Sequence, residues 1–153
     1  MSDQPTIRAA RREDIPILVD FNLRMARETE GRQLDPEVLA SGMRAVFEVA
    51  GRGFYLVAEV GGEVAGCLLV TTEWSDWRDA AFWWIQSVYV REDFRRCGVF
   101  SALYETVRER ARSSDRVCGC RLYVERTNST AQAVYARLGL QETGYKVFEE
   151  LLD

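Results

Sequence analysis

The sequence predicts an α/β fold, and three observations carry that prediction. The hydrophobic period switches between 2 and 3.6 several times along the chain. The switches order the elements as β-α-α-β-β-β-α-β-α-β, a mixed sheet with helices on both faces. The composition is globular: 153 residues, 47% hydrophobic and 29% charged. A domain of that size hides roughly 70% of the surface of its unfolded chain. No internal repeat, linker or low-complexity stretch breaks the pattern, so residues 1–153 read as a single domain.

Residues 6–10 are a short first strand. Asp14 caps a helix that tolerates Pro16 in its first turn and turns Leu18, Phe21 and Met25 inward. The polar break Glu28-Thr29-Glu30-Gly31-Arg32 ends it. Asp35-Pro36 is a cap followed by proline at the first helical position, opening a helix with Leu39, Met43, Val46 and Ala50 on one face. Residues 54–60 and 64–72 flank Gly61-Gly62 as an antiparallel hairpin. The polar run from Glu73 to Asp79 reads as a loop. Residues 81–90 form a strand, 98–112 a helix and 121–125 a strand. Ser129-Thr130-Ala131-Gln132 has capping-box spacing and starts a helix that Gly139 stops. Residues 146–151 make a last strand.

Composition also excludes chemistry. Lys plus Arg is 20 against 24 Asp plus Glu, a net charge of −4, which argues against a chain that coats nucleic acid. No apolar run approaches the roughly 20 residues of a membrane span, and the first residues lack a hydrophobic signal core. The expected location is cytoplasmic. With no histidine, catalysis by Ser–His–Asp or Cys–His and any His-containing zinc site are out. Cys67, Cys97, Cys118 and Cys120 lack metal-ligand spacing and read as buried, reduced thiols; no metal is expected.

Two stretches can carry chemistry. In the first, Val88-Tyr89-Val90 runs out through Arg91-Glu92-Asp93-Phe94-Arg95-Arg96-Cys97 into a helix at Gly98-Val99-Phe100-Ser101. Backbone N–H groups at such a helix start, with the dipole behind them, form an anion site. Arg95 and Arg96 add positive charge, and Gly98 lets a phosphate approach the backbone. Taken alone, the same turn is an ordinary strand-to-helix connection with two solvated arginines. In the second stretch Asn128 stands at a strand end, with Tyr135 one turn beyond Ala131 on the same helix face. Taken alone, Tyr135 is a core tyrosine with its hydroxyl at the rim.

Together they are more specific. Arg95-x-x-Gly98 at a strand-to-helix turn resembles the cofactor loop of the GNAT superfamily of acetyl-CoA-dependent N-acyltransferases. Asn128-x-x-Ala131-x-x-x-Tyr135-x-x-x-Gly139-Leu140 resembles that superfamily's next strand–helix unit. The element order agrees over roughly residues 6 to 150. The resemblance implies a mostly antiparallel mixed sheet with a splayed fourth strand that takes the pantetheine arm on the backbone of Val88, Tyr89 and Val90. It puts the pyrophosphate of acetyl-CoA on the amides from Arg96 through Cys97, Gly98, Val99 and Phe100 to Ser101, with Arg95 and Asn128 nearby. Phe100 departs from the family pattern, which has glycine or alanine there.

The implied reaction is attack by an amine on the thioester, with Tyr135 protonating the leaving thiolate. Some relatives carry a glutamate where this chain has Gln86, and an amide can only orient a substrate or water. Among the carboxylates expected near the cleft, Glu73, Asp76 and Glu125, Glu73 is the expected base, directly or through water; a solvated loop charge is the alternative. Trp74 and Trp77 beside Glu73 and Asp76, with Glu28 and Glu30 from the first helical break, suit a cationic amine. Packing of the hairpin or a dimer contact would use the same tryptophans. Trp83 and Trp84 alternate onto opposite faces of their strand. The acceptor is then an amine on a small molecule or a protein, and a homodimer is common among such proteins. The competing function is an acyl-CoA-binding sensor or interaction module of the same fold that has lost catalysis.

Overall fold

A computed structural model of the chain describes residues 4–152, which fall into two compact units, Met1–Tyr123 and Val124–Asp153. The first holds β1 (Thr6–Ala9), α1 (Ile15–Glu30), α2 (Pro36–Glu48), β2 (Phe54–Val60), β3 (Glu63–Ser75), β4 (Ala80–Val90), α3 (Val99–Ser113) and β5 (Val117–Leu122). The second holds α4 (Ser129–Arg137). The sheet order is β1-β2-β3-β4-β5; the first four strands are antiparallel and β5 runs parallel to β4.

Strand alternation divides the apolar residues between two faces. On one face Tyr55, Val57, Cys67 and Tyr89 meet Ile15, Leu18 and Phe21 of α1 and Met43 of α2. The intervening residues Leu56, Leu68, Val70 and Ile85 are buried on the other, where α3 lies against the strands with Val99, Leu103, Val107 and Ala111 buried. Each fully buried Leu or Phe in these layers contributes about 1.5–3 kcal/mol. Helices therefore cover both faces, as the period switches predict.

The helix ends follow their capping residues. Asp35 accepts a 2.9 Å hydrogen bond from the Glu37 N–H, with Pro36 in the first turn. Gly31, at φ 62°, closes α1 in the left-handed conformation that glycine favours. Asp14 precedes α1 without capping it. Its carboxylate accepts from the Arg11 N–H and from both Arg8 terminal nitrogens, at 2.7 and 2.9 Å, while Arg8 Nε donates to Glu59 at 2.6 Å. This triad ties β1 and β2 to the entrance of α1.

Several expected boundaries move. Glu28 and Glu30 lie in the last turn of α1, because the helix runs to its glycine cap. Ala50 falls beyond α2. Glu73, Trp74 and Ser75 belong to β3: Glu73 pairs with Phe82, Trp74 with Ala81 and Ser75 with Ala80. Cross-strand pairing overrides their polarity and shrinks the expected loop to the turn after Ser75. The strand expected at 121–125 is centred earlier, since Gly119 lets the Phe82 ring lie where a side chain would crowd it: an added Cβ would meet a ring carbon at 3.0 Å. Asn128, not Ser129, caps α4, its Oδ1 accepting from the Ala131 N–H at 3.1 Å. Residues 146–151 are assigned to no strand and are exposed. Of the four free thiols only Cys67 is buried; Cys97 sits in a loop and Cys118 on an edge strand, both exposed.

The Arg8 hydrogen bonds, with the Arg11 N–H, hold the Asp14 carboxyl below its ordinary value. A depressed carboxylate stabilises the fold above its unfolded pKa, and that contribution disappears as pH falls through the folded pKa. Asp14→Asn should unfold about 1–3 kcal/mol more easily at neutral pH, with the deficit closing as wild type is acidified below about pH 4. Denaturant melts at several pH values measure this; a pH-independent difference would separate Asp14 from the ionisation.

Candidate functional site

The site begins where β4 leaves β5. The parallel pairing covers only Ala81 to Ile85 of β4 against Val117 to Leu122 of β5. Residues 86–90 have no strand partner on that side among the described residues. A bulge causes the parting. Leu69 pairs with Gln86 and Cys67 with Tyr89, so Leu68 of β3 faces both Ser87 and Val88, and Ser87 takes φ 53°. A bulge bends and twists its strand, and here it does so just past the last pair with β5. Gly66 secures the bent end: a Cβ there would stand 2.7 Å from the Tyr89 carbonyl oxygen and 3.1 Å from Val99. That packing presses β3, the end of β4 and the start of α3 together.

Beyond Val90 the chain makes a short 3-10 turn, Glu92–Phe94, and two left-handed residues, Arg96 (φ 64°) and Gly98 (φ 77°), before α3. No side chain caps α3, and the Ala102 N–H, donating to the Gly98 carbonyl at 3.0 Å, is where its hydrogen-bond ladder starts. The Val99 and Ser101 amides ahead of it precede that ladder. A Cβ on Gly98 would have nothing within 4 Å, so the space over the loop is open. An open helix start beside a bared strand edge suits a phosphate followed by an extended, amide-bearing chain.

Arg95 does not reach over that opening. Its Nε donates to the Val90 carbonyl at 2.9 Å, and its guanidinium pairs with Glu28 at 2.8 Å above the Tyr89 ring. The Tyr89 hydroxyl donates to the other Glu28 oxygen at 3.3 Å, and the ring packs on Phe21. Burial first, then the Glu28 charge, pushes the Tyr89 phenol up. Glu28, Tyr89 and Arg95 thus form one cluster fastening α1 to the loop. Arg96 and Cys97 are exposed; Val99 is buried, and Ser101 half-buried. The Phe100 ring stacks on Tyr104 one turn along α3, directed along the helix.

The acidic residues expected in one wall stand apart. Glu73 lies at the Phe82 end of β4 and Glu28 at the Tyr89 end, seven residues along the strand, or about 23 Å at 3.3 Å per residue. Glu30 is exposed and pairs loosely with Arg32 at 3.8 Å. Glu73 accepts from Arg121 at 2.7 Å, and the Arg121 guanidinium lies 3.6 Å from the centre of the Phe82 ring. Asp76 and Trp77 occupy the exposed turn, and Trp74 is exposed on β3. Trp83 packs edge-on to Phe54, and Trp84 lies 4.6 Å from Tyr123 on the opposite face. Gln86 donates to the Thr71 hydroxyl at 2.6 Å, immediately before the bulge.

Sequence reasoning missed Arg121 and Thr71. Their roles depend on cross-strand register, which a single strand's pattern does not contain; only the period-2 alternation of Arg121 with Tyr123 hinted at a shared face. In the second unit the Asn128 amide oxygen is engaged in the α4 cap, and Gln132 Nε2 donates to the Glu125 and Arg126 carbonyls at 3.0 Å. Burial pushes the Tyr135 phenol up. In the first unit a cavity of about 250 Å³ lies between the end of α2 and β1–β2.

Because Arg95 and Glu28 are each more than 40% exposed, solvent weakens their pairing. A double-mutant cycle with Arg95→Ala and Glu28→Ala should give a coupling of about 0.2–1 kcal/mol in thermal or denaturant unfolding. A coupling several-fold larger would make this pair a structural pillar instead of a surface fastening.

Comparison with known proteins agrees with this geometry. The model of the acetyltransferase (GNAT) family matches residues 19–140. A possible acetyltransferase from Clostridium difficile 630 is 38% identical, with a TM-score of 0.90 over 97% of this chain and 98% of that one. An integron cassette protein from the Cole Harbour Salt Marsh metagenome is 21% identical, with a TM-score of 0.84 over 96% and 90%. A predicted acetyltransferase from Clostridium acetobutylicum, solved with acetyl-CoA, is 15% identical and shares the fold over 96% of both chains at a TM-score of 0.78. No curated protein matches the chain.

Proposed function

The chain belongs to the acetyltransferase (GNAT) family, and from that premise we propose that it moves an acetyl group from acetyl-CoA to a primary amine of a small molecule or a protein. The observation that carries the reading is the bared edge of β4 running into the open start of α3. Amides and carbonyls of Val88, Tyr89 and Val90 suit the amide-bearing pantetheine arm. The backbone from Arg96 to Ser101 suits the pyrophosphate, with helix-start N–H groups as the main donors.

In the proposed reaction a neutral amine attacks the acetyl carbonyl carbon. A C–N bond forms, the C–S bond breaks, and the thiolate takes a proton. Tyr135 is the proposed donor, in keeping with a phenol that burial holds protonated through neutral pH. The amine's proton leaves to water. Glu73, at the Phe82 level and engaged by Arg121, would relay it through water instead of touching the amine. Trp84 and Tyr123, on the sheet face that Glu73 shares, with Trp77 from the exposed turn, are the aromatic surfaces proposed to face the acceptor; Trp74, which pairs with Ala81, lies on the opposite face.

A panel of amines assayed for thiol release from acetyl-CoA tests the activity. One specific observation favours a second reading, a CoA-binding module without turnover: Gln86 stands in place of a carboxylate and its amide is engaged by Thr71. Binding of CoA with no amine raising thiol release would select that module.

Two substitutions separate the parts. Gly98→Val meets no clash, but it forces a β-branched residue to φ 77° and puts bulk into the open space over the loop. Calorimetry should show acetyl-CoA affinity reduced about tenfold or more, a loss of about 1.4 kcal/mol, in a protein that still folds; unchanged affinity would remove the loop from the site. Tyr135→Phe keeps the ring and deletes the hydroxyl. Turnover should fall about 10- to 1000-fold with acetyl-CoA binding nearly kept, and wild-type turnover would make Tyr135 a packing residue.

A further inference from the structure

The charge at the Phe82 end of β4 runs opposite to the acidic wall that the sequence suggests. Phe82, Trp84 and Gln86 share one face of β4, with Glu73 of β3 and Arg121 of β5 on the same face. There the Arg121 guanidinium lies 3.6 Å from the centre of the Phe82 ring, and the Arg78 guanidinium lies 5.0 Å from it. Two cations thus meet at one ring. Among the described residues only Glu73 forms an ion pair with either of them. Asp79 is taken by Arg116 at 3.3 Å, and Asp76 stands in the exposed turn.

This arrangement leaves Arg121 with donors to spare. A guanidinium carries five N–H donors in a planar fork and often grips a carboxylate with two of them. Arg121 gives Glu73 one bond, from Nη1 at 2.7 Å. Stacking on Phe82 covers a face of the fork and fixes its plane, so the remaining donors point outward along its edge. The ring is itself seated, since a Cβ at Gly119 would stand 3.0 Å from it. The Arg121 side chain is 26% exposed, so its head is within reach of a solute. Arg78 spends only a 3.4 Å bond on the Ser75 hydroxyl.

We propose that Arg121, with Arg78 beside it, binds a carboxylate of the acceptor, which is therefore a small amino carboxylate whose amine and acid are separated by an apolar spacer. This rests on the acetyl-transfer reading above. Same-face neighbours on a strand stand about 6.6 Å apart, so Trp84 fills the interval between Phe82 and Gln86. The Trp84 ring, with Tyr123 at 4.6 Å, gives that interval an aromatic floor for the spacer. Gln86 is the last paired residue before the bulge, so the amine end falls where β4 becomes bare. An α-amino acid is too short to reach from one end to the other. A carboxylate fits better than a phosphate because Glu73 already sits on the same guanidinium. One negative charge is repelled by Glu73 less than two, and Arg78 offsets it.

Two probes alike in length, ε-aminocaproate and n-hexylamine, differ in the carboxylate and test the proposal. Thiol release from acetyl-CoA should favour ε-aminocaproate about tenfold or more in kcat/KM, chiefly through a lower KM. Arg121→Gln should bring that ratio close to one, Arg121→Lys should restore part of it, and Arg78→Gln should reduce it less. The ratio compares two acceptors on one variant, so a loss of stability or of Glu73 placement cancels from it. Calorimetry of ε-aminocaproate into protein saturated with CoA reads the same site without turnover. Binding that depends on Arg121, with no amine raising thiol release, supports the carboxylate site and overturns acetyl transfer. Thiol release that serves both probes alike, or favours n-hexylamine, overturns the carboxylate site and leaves acetyl transfer standing. A wild-type protein that binds ε-aminocaproate no better than n-hexylamine also overturns the site. Should Arg121→Gln fail to fold, the wild-type preference and Arg78→Gln decide.

Discussion

The parting of β4 from β5 is the constraint on which the site depends. Parallel strands hold together through evenly spaced bonds, and opening a gap between them needs a local cause. Here the cause is one extra residue in β4 opposite Leu68, with Ser87 held at positive φ. A non-glycine residue in that conformation costs of order 1–3 kcal/mol, so the surroundings must hold it in place. Gly66 and Tyr89 do so from opposite sides. The glycine admits the Tyr89 carbonyl where a side chain would repel it, and the buried Tyr89 ring anchors the bent strand to Phe21 of α1. Both core faces thus meet at the bulge, and the bared edge persists because straightening β4 would unpack them.

The charged groups around the opening are arranged less obviously. A basic pair at a helix start suggests cations aimed at an anion, but Arg95 is turned inward by Glu28 and the Val90 carbonyl. Its guanidinium stiffens the approach to α3. In the proposed function, recognition of a phosphate is then left to the helix-start amides, with Arg96 contributing from solvent. Backbone donors fixed by the fold lose little freedom on binding, whereas a long arginine must be ordered. A fastened Arg95 beside open amides therefore favours a pre-formed loop over a flexible cationic clamp.

Much of this was legible in the sequence. Period switches, Asp35-Pro36, Gly31 and the glycine pair gave the element order, because each is a local signal with a local cause. Arg95-x-x-Gly98 located the loop, since left-handed backbone and an uncapped helix start leave a glycine in a recognisable place. What was not legible depends on register. Glu73 looked like loop because its neighbours are polar, yet pairing with Phe82 makes it strand, and only the parallel alignment of β5 reveals Arg121 as its partner. The acidic wall failed for the same reason: chain order brings Glu28 and Glu73 to one face, and only the sheet's register spaces them along it.

The misread last strand is a different kind of discrepancy. Residues 146–151 have the alternation and composition of a strand, yet they are assigned to none and are exposed. Sequence pattern reports what a segment can bury; it does not report whose surface buries it. Leaving Phe148 and Leu152 in water forgoes about 1.5–3 kcal/mol for each side chain, an imbalance large against the 5–15 kcal/mol that holds a domain together.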